Sequence, residues 1–182
     1  MSTKRTFSNS VTESIILKAG WNLVSFYTDA NNANLDAFAG TDSHNNSTQV
    51  NSNIVEIKNT TVSWNSSNVS SGISFLNSLT NIDTDLGYWV LVTNDETIQC
   101  TGNVLSGRTL SLNSGWNLIG HPVIDNTALP SQMGNTAVFP ELNKITEIKD
   151  TSVSWTYNNV SAGISFLNSL STLIKNKGYW VL

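Results

Sequence analysis

The chain has 182 residues, which is enough for one ordinary domain or two small ones with a buried core. Only 12% of the residues are charged and 39% are hydrophobic, and much of the remainder is neutral polar, including 25 asparagines. The formal net charge of −4 excludes a basic surface for nucleic acid, and no apolar run approaches the roughly 20 residues that span a bilayer.

The sequence contains an internal repeat. Residues 54–91 align with residues 145–182 without a gap, at an offset of 91, and 24 of the 38 pairs are identical. Upstream, Gly-Trp-Asn-Leu at residues 20–23 aligns with the same motif at residues 115–118, at an offset of 95. The chain is therefore interpreted as two copies of one module.

Each copy is expected to begin with the strand that precedes its Gly-Trp-Asn-Leu motif. This choice gives a first module at residues 1–95 and a second at residues 96–182. At the start of the first module, Lys4 and Arg5 form a basic pair with no apolar stretch behind it, so we expect no signal peptide in this chain.

Two hairpins are predicted near the start of the first copy. Alternating apolar residues flank a three-residue turn at residues 18–20, and the pattern repeats around residues 113–115, so we expect a hairpin there in each copy. The next strands, residues 55–58 and 62–64, flank a second turn at residues 59–61 and predict a second hairpin.

The sequence of the rest of the module predicts one helix and one central strand. Ile73, Phe75, Leu76 and Leu79 recur at helical spacing, which predicts a short helix over residues 71–79. The run Tyr-Trp-Val-Leu-Val that follows is continuously apolar, as a central strand is. The predicted fold class is all-β with minor α: two homologous small β-sandwich or barrel-like modules in tandem, each with one short helix.

The order of motifs in both copies resembles a tandem β-module: Gly-Trp-Asn-Leu, Glu-Ile-Lys with a Ser-Trp, Leu-x-x-Leu, then Gly-Tyr-Trp-Val. Modules of this kind occur in surface-exposed, secreted and some large-virus proteins, and they have no established activity. The resemblance covers nearly the whole chain. It implies an exterior, multi-module architecture without catalytic residues, extracellular or exposed on a cell or virion surface.

The six tryptophans form three corresponding pairs and are the main candidates for a binding site. Exposed tryptophans often stack on sugar rings. Trp21 and Trp89, with their counterparts Trp116 and Trp180, alternate with core-type residues, so we predict that these four fill the cores. The remaining pair lies beside polar stretches, and it gives the candidate ligand-binding residues: Trp64, Trp155, Tyr157, Asn68 and Asn159.

No catalytic site, metal site or cofactor is predicted. Nucleophilic catalysis needs a histidine near a serine or cysteine, oriented by a carboxylate. His44 lies in a polar, loop-like stretch, and His121 takes the place of Phe26 just after a strand, so a hydrolase around His121 is only a third alternative. Cys100 is the single cysteine, which excludes a disulfide framework, and we expect it to be a small buried hydrophobe.

The leading interpretation is a non-enzymatic structural or adhesion protein displayed on a cell, fibre or virion surface. Low charge with abundant Asn, Ser and Thr is typical of a β-protein that packs into extended arrays. The alternative is a carbohydrate-binding module that uses exposed Trp and Tyr. The expected partners are other modules or copies of the same protein, and surface glycans under the alternative, with no nucleic acid and no membrane span.

Overall fold

The computed structural model describes residues 10–28, 53–104, 110–121, 124–130 and 142–182. Within these ranges the chain is mostly strand with short helices, which confirms the prediction of an all-β fold with minor α. The strands are β1 (Ser10–Leu17), β2 (Gly20–Val24), β3 (Ile54–Lys58), β4 (Ser63–Asn65), β5 (Tyr88–Val92), β6 (Glu96–Asn103), β7 (Asn117–Ile119), β8 (Thr127–Ala128), β9 (Glu147–Lys149), β10 (Ser154–Thr156), β11 (Thr172–Leu173) and β12 (Tyr179–Val181). The helices are α1 (Ser66–Ser70) and α2 (Tyr157–Ser161), and 3-10 turns lie at Ser74–Leu76, Leu142–Lys144 and Ser165–Leu167.

The first core is built on a four-stranded antiparallel sheet of order β2-β5-β3-β4. β5 lies between two neighbours, which confirms its predicted central position. Its buried residues alternate with half-buried ones, because successive side chains of a strand point to opposite faces. The predicted hairpin at residues 59–61 is also confirmed, with Ile57 opposite Trp64 in the β3–β4 pair.

A second layer covers this sheet. β1 and β6 pair antiparallel along eight residues, from Ser10 opposite Asn103 to Leu17 opposite Glu96. The buried side chains of both strands join the inward side chains of the four-stranded sheet in one hydrophobic cluster. The first unit is therefore a small two-layer sandwich, and Cys100 on β6 is buried in it as expected.

The predicted hairpin between β1 and β2 is wrong. β1 pairs with β6 and β2 pairs with β5, so the turn at residues 18–20 carries the chain from one layer to the other. Asn22 holds this corner: its amide nitrogen donates to the Lys18 carbonyl at 2.7 Å, and its amide oxygen accepts from the Lys18 N–H at 2.9 Å. Apolar alternation predicts the strands but carries no information about which strand each one pairs with.

The predicted helix over residues 71–79 is also wrong. The helix, α1, lies earlier, where the Asn65 side chain accepts from the Ser67 N–H at 2.9 Å and caps its N-terminus. Gly72, with a φ of 71°, follows it, and the chain then makes only a 3-10 turn at Ser74–Leu76. The second copy has the same arrangement, with α2 followed by a 3-10 turn.

The second core is built on a sheet of order β10-β9-β12-β7, the counterpart of the first sheet strand by strand. β8 and β11 form a two-stranded sheet beside it. Leu129 and Leu173 pack with Ile148, Trp155 and other buried residues of this sheet. β6, which lies just after the boundary predicted between residues 95 and 96, packs into the first core.

The two sheets meet at their edge strands β2 and β7, and they make the same contact twice. Val24 at the end of β2 forms a β-bridge with Lys177, and Ile119 at the end of β7 forms a β-bridge with Leu86. Ile119 corresponds to Val24 in the repeat, and Leu86 corresponds to Lys177. The junction is therefore reciprocal, like the interface of a symmetric dimer within one chain.

Glycines allow the two backbones to approach at this junction. The Gly178 N–H donates to the Leu23 carbonyl at 3.4 Å, and the Gly87 N–H donates to the Leu118 carbonyl at 3.3 Å. A Cβ at Gly87 would lie 2.7 Å from the carbonyl oxygen of Ile119. Any larger residue would push the strands apart, so the Gly of Gly-Tyr-Trp-Val is required by packing between the copies.

Candidate functional site

The predicted sugar-binding tryptophans lie in the two cores. Trp64 and Trp155 are each 1% exposed. The Trp155 indole N–H donates to the carbonyl oxygen of Pro130 at 2.9 Å, which satisfies its polar atom inside the core. Because neither indole presents a face to solvent, the structure corrects the prediction that these residues stack on a sugar ring.

The other predicted ligand-binding residues have structural partners. The Asn68 side chain donates to the amide oxygen of Asn77 at 2.7 Å, and Asn159 donates to Asn168 at the same distance. These bonds tie each helix to the segment that follows its 3-10 turn. Tyr157 is half-buried and packs against the second core. The structure therefore does not bring the predicted residues together as an exposed site.

The tryptophans predicted to fill the cores are the exposed ones. Trp21 is 44% exposed and Trp116 is 43% exposed, while Trp89 and Trp180 are half-buried. They lie on the faces of the sheets away from the cores, because the opposite faces of β5 and β12 carry the buried residues. The prediction that these four are core residues is wrong.

Each outward sheet face carries the same aromatic–cation cluster. In the first copy, Trp21 and Trp89 contact edge to face with ring centroids 6.5 Å apart, and the Lys58 ammonium lies 4.1 Å from the Trp21 ring centroid. Glu56 forms an ion pair with that ammonium at 3.1 Å. Each such aromatic or cation–π contact contributes about 0.5–1.5 kcal/mol, so the cluster also orders the indoles.

The second copy repeats this cluster with nearly the same geometry. Trp116 and Trp180 are 6.5 Å apart, and the Lys149 ammonium lies 4.0 Å from the Trp116 ring centroid. Glu147 pairs with Lys149 at 3.8 Å. The residues that form both clusters lie in the two parts of the sequence that repeat, and sequence analysis missed them because strand alternation does not say which face is buried.

An open groove of about 550 Å³ runs between the two units, and Trp21 lines it. Its size is within the range of ligand sites in proteins, roughly 300–1,000 Å³. From the second copy, the exposed Lys175 lines the groove. Asp150 also borders it, but its side chain is only 6% exposed and pairs with Lys177 at 3.5 Å. The groove thus combines an exposed indole with a lysine that can donate hydrogen bonds.

Each copy carries an exposed apolar tip. The tips are residues 73–76 and 164–167, the 3-10 turns with the isoleucine that precedes each. Phe75 is 79% exposed and Phe166 is 80% exposed, and the neighbouring Ile and Leu side chains of both tips are also exposed. These side chains have helical spacing in the sequence, but in the structure they lie in solvent and outside the cores.

Glu13 is a fully buried carboxylate at the junction. It accepts from the Thr28 hydroxyl at 2.5 Å, from the N–H groups of Tyr27 and Thr28 at 3.1 and 3.2 Å, and from the Asn176 amide at 2.7 Å. Burial raises the pKa of Glu13, and the four hydrogen bonds oppose that rise. Asn176 belongs to the second copy and has a φ of 64°, so this bond links the two units.

His121 is buried. Its Nε2 lies 2.9 Å from the Thr127 hydroxyl, and its backbone N–H donates to the Ser25 hydroxyl at 3.0 Å. His44 lies outside the described residues. In the part of the chain that the structure describes, no three His, Cys, Asp or Glu side chains form a metal-binding group.

Comparison of this chain with known protein families, curated proteins and solved structures finds no match. None of the helices in the described ranges is long and apolar enough to cross a membrane.

The buried carboxylate predicts a pH-dependent stability. Because the pKa of Glu13 is raised in the folded state, its protonated form is favoured there. The free energy of unfolding should therefore fall as pH rises above about 4.5, until the pH passes the folded-state pKa. Urea unfolding between pH 4.5 and pH 7.5 should show this fall in the wild type and lose it in Glu13→Gln.

Glu147→Gln is the matched control for this experiment, because Glu147 lies on the outward face of the second sheet in an ion pair with Lys149. This variant should keep the wild-type pH dependence. An identical pH profile for the wild type and Glu13→Gln would contradict the assignment of the effect to Glu13.

Proposed function

We propose that this chain is a non-enzymatic structural or adhesion protein, displayed on a cell, fibre or virion surface, that binds other copies of itself through the two apolar tips. The observation that carries the proposal is the exposure of Phe75 and Phe166, 79% and 80%, in two identical eight-residue sequences. Large apolar side chains clustered in solvent are typical of interaction sites.

The tips are held in shape before any partner binds. In the first tip, the Leu76 N–H donates to the Ile73 carbonyl at 3.0 Å and the Asn77 N–H donates to the Ser74 carbonyl at 2.9 Å. The second tip has the same two bonds, at 3.0 Å each. A rigid tip loses little conformational entropy on binding, so the exposed phenyl rings are well suited to be anchors.

The surroundings of the tips favour an uncharged protein partner. Residues 66–82 and residues 157–173 contain no charged side chain, and the whole chain carries a net charge of −4. Attachment to an anionic lipid surface usually needs clustered lysine or arginine. An apolar tip framed by serine and asparagine instead complements another apolar protein surface, and a second copy supplies the same surface.

Sedimentation velocity over a range of protein concentrations tests this proposal. The wild type should self-associate, and Phe75→Ser with Phe166→Ser should weaken that association by at least about 30-fold, because an aromatic anchor at an interface contributes about 2 kcal/mol or more. Neither ring is in a core, so the double variant should stay folded.

Ile16→Ser is the matched control, because Ile16 is 73% exposed but belongs to neither tip, and its counterpart is already Ser111. This variant should associate like the wild type. A wild type that remains monomeric at millimolar concentration, or a double variant that associates unchanged, would overturn the proposal.

Carbohydrate binding is the second candidate, and the groove favours it. Trp21 presents an exposed indole in the groove, and the exposed Lys175 lies along its other side. An aromatic platform beside polar hydrogen-bonding groups is the arrangement that recognises a sugar ring. This site replaces the one predicted at Trp64 and Trp155.

A glycan-array screen, followed by titration of each hit with intrinsic tryptophan fluorescence, tests this candidate. Trp21→Ala should abolish binding. Trp116→Ala is the matched control, because Trp116 is equally exposed in the same kind of cluster but does not line this groove. The absence of any saturable hit, or equal loss of binding in both variants, would exclude the groove as a sugar site.

A further inference from the structure

The two copies share the corner that precedes the Gly-Trp-Asn-Leu strand. In the first copy the Lys18 N–H donates to the Asn22 amide oxygen at 2.9 Å, and in the second the Asn113 N–H donates to the Asn117 amide oxygen at 2.9 Å. The glycine φ angles at this corner are 100° and 95°. The chain therefore enters β2 and β7 from the same direction.

The residues before the corner have different surroundings in the two copies. Leu17 on β1 is 0% exposed, whereas its counterpart Leu112 is 41% exposed. Ile15 is buried, whereas its counterpart Leu110 is only half-buried and does not belong to the second hydrophobic cluster. Corresponding leucines at the same corner are thus core in one copy and solvent-facing in the other.

In the first copy, β6 lies beside these residues. It pairs with β1 and places Ile98 opposite Ile15 and Glu96 opposite Leu17. Its approach is fixed by Asp95, which accepts from the Lys18 ammonium at 2.7 Å and from the Ala19 N–H at 3.0 Å. Among the residues that the structure describes, no strand pairs with residues 110–112.

We propose that residues 110–112 are the edge of an acceptor site for one additional antiparallel β-strand with the pattern of β6. Such a strand carries an apolar residue at the position of Ile98 and a polar one on either side. Its backbone pairs with the edge at residues 110–112, and its apolar residue covers Leu110 and Leu112, as β6 does for Ile15 and Leu17. The proposal does not depend on self-association through the apolar tips.

A synthetic peptide of residues 95–103, with Cys100→Val to remove thiol chemistry, tests the site in trans on the full chain. The peptide should bind saturably and slow amide hydrogen exchange at residues 110–112. Ile98→Asp in the peptide and Leu112→Asp in the chain should each weaken binding by at least about tenfold. Binding that survives Leu112→Asp would show exchange with β6 in the first unit and would overturn the proposal.

A covalent version tests the same site in cis. Leu182 corresponds to Leu91, so the sequence of residues 92–103 attached after Leu182 continues the chain in the register of the first copy. This extension should raise the Tm by about 4 °C or more, and the same extension with Ile98→Asp at the copied position should not. No peptide binding together with an unchanged Tm would refute the acceptor site.

Discussion

The structure depends on the reciprocal backbone contact between the two copies. Two sheet edges would otherwise each leave a row of unpaired N–H and C=O groups in solvent. At the junction these groups pair across the copies, with the Ser25 N–H donating to the Asn176 carbonyl at 3.1 Å and the Gly120 N–H donating to the Asp85 carbonyl at 2.9 Å. The two repeats are thereby joined as one folded unit.

The centre of the junction is also where the two copies differ. Ser25 and Gly120 occupy corresponding positions, but a Cβ at Gly120 would lie 2.4 Å from the Thr84 carbonyl oxygen and 2.8 Å from the Leu86 carbonyl oxygen. A serine at position 120 would therefore collide with the backbone of the first copy. Ser25 has room for its side chain, and its hydroxyl donates to the Lys177 carbonyl at 2.8 Å and accepts from the His121 N–H.

The junction also creates the groove beside Trp21, because it holds Asp150 and Lys175 of the second copy next to β2. The apolar tips and the aromatic–cation clusters, by contrast, lie within each copy and are built from local contacts. The proposed self-association through the tips therefore requires residues of one copy only, whereas the proposed sugar binding in the groove requires both copies together.

The sequence predicted the fold class, the central position of β5 and the β3–β4 hairpin, because each depends on local alternation and turn residues. It did not predict the β1–β6 pair, because the partner of β1 lies in the other half of the chain. The exposure of the tryptophans was predicted wrongly: Trp64 and Trp155 are buried, whereas Trp21 and Trp116 are exposed. β5 is apolar on both faces, so the pattern could not say whether Val90 or Trp89 faces the core, and the polar neighbours of Trp64 belong to the cap of α1.

The conformation of the apolar tips was also not predictable from the spacing of apolar residues. Ile73, Phe75 and Leu76 have the spacing of a buried helical face, but they follow α1, which Asn65 caps through the Ser67 N–H. The Asn77 side chain bonds the backbone N–H and carbonyl of Asn65 on the other side of the segment. Local side-chain hydrogen bonds of this kind compete with helix formation, and hydrophobic spacing does not register them.

Site-resolved amide hydrogen exchange on the full chain tests the reciprocal junction most directly. The N–H groups of Ser25, Gly87, Gly120 and Gly178 all donate to carbonyl oxygens of the other copy. They should be as strongly protected as the amides of the central strands β5 and β12, because opening the junction exposes both sheet edges. Exchange much faster than that of the β5 and β12 amides would contradict the account.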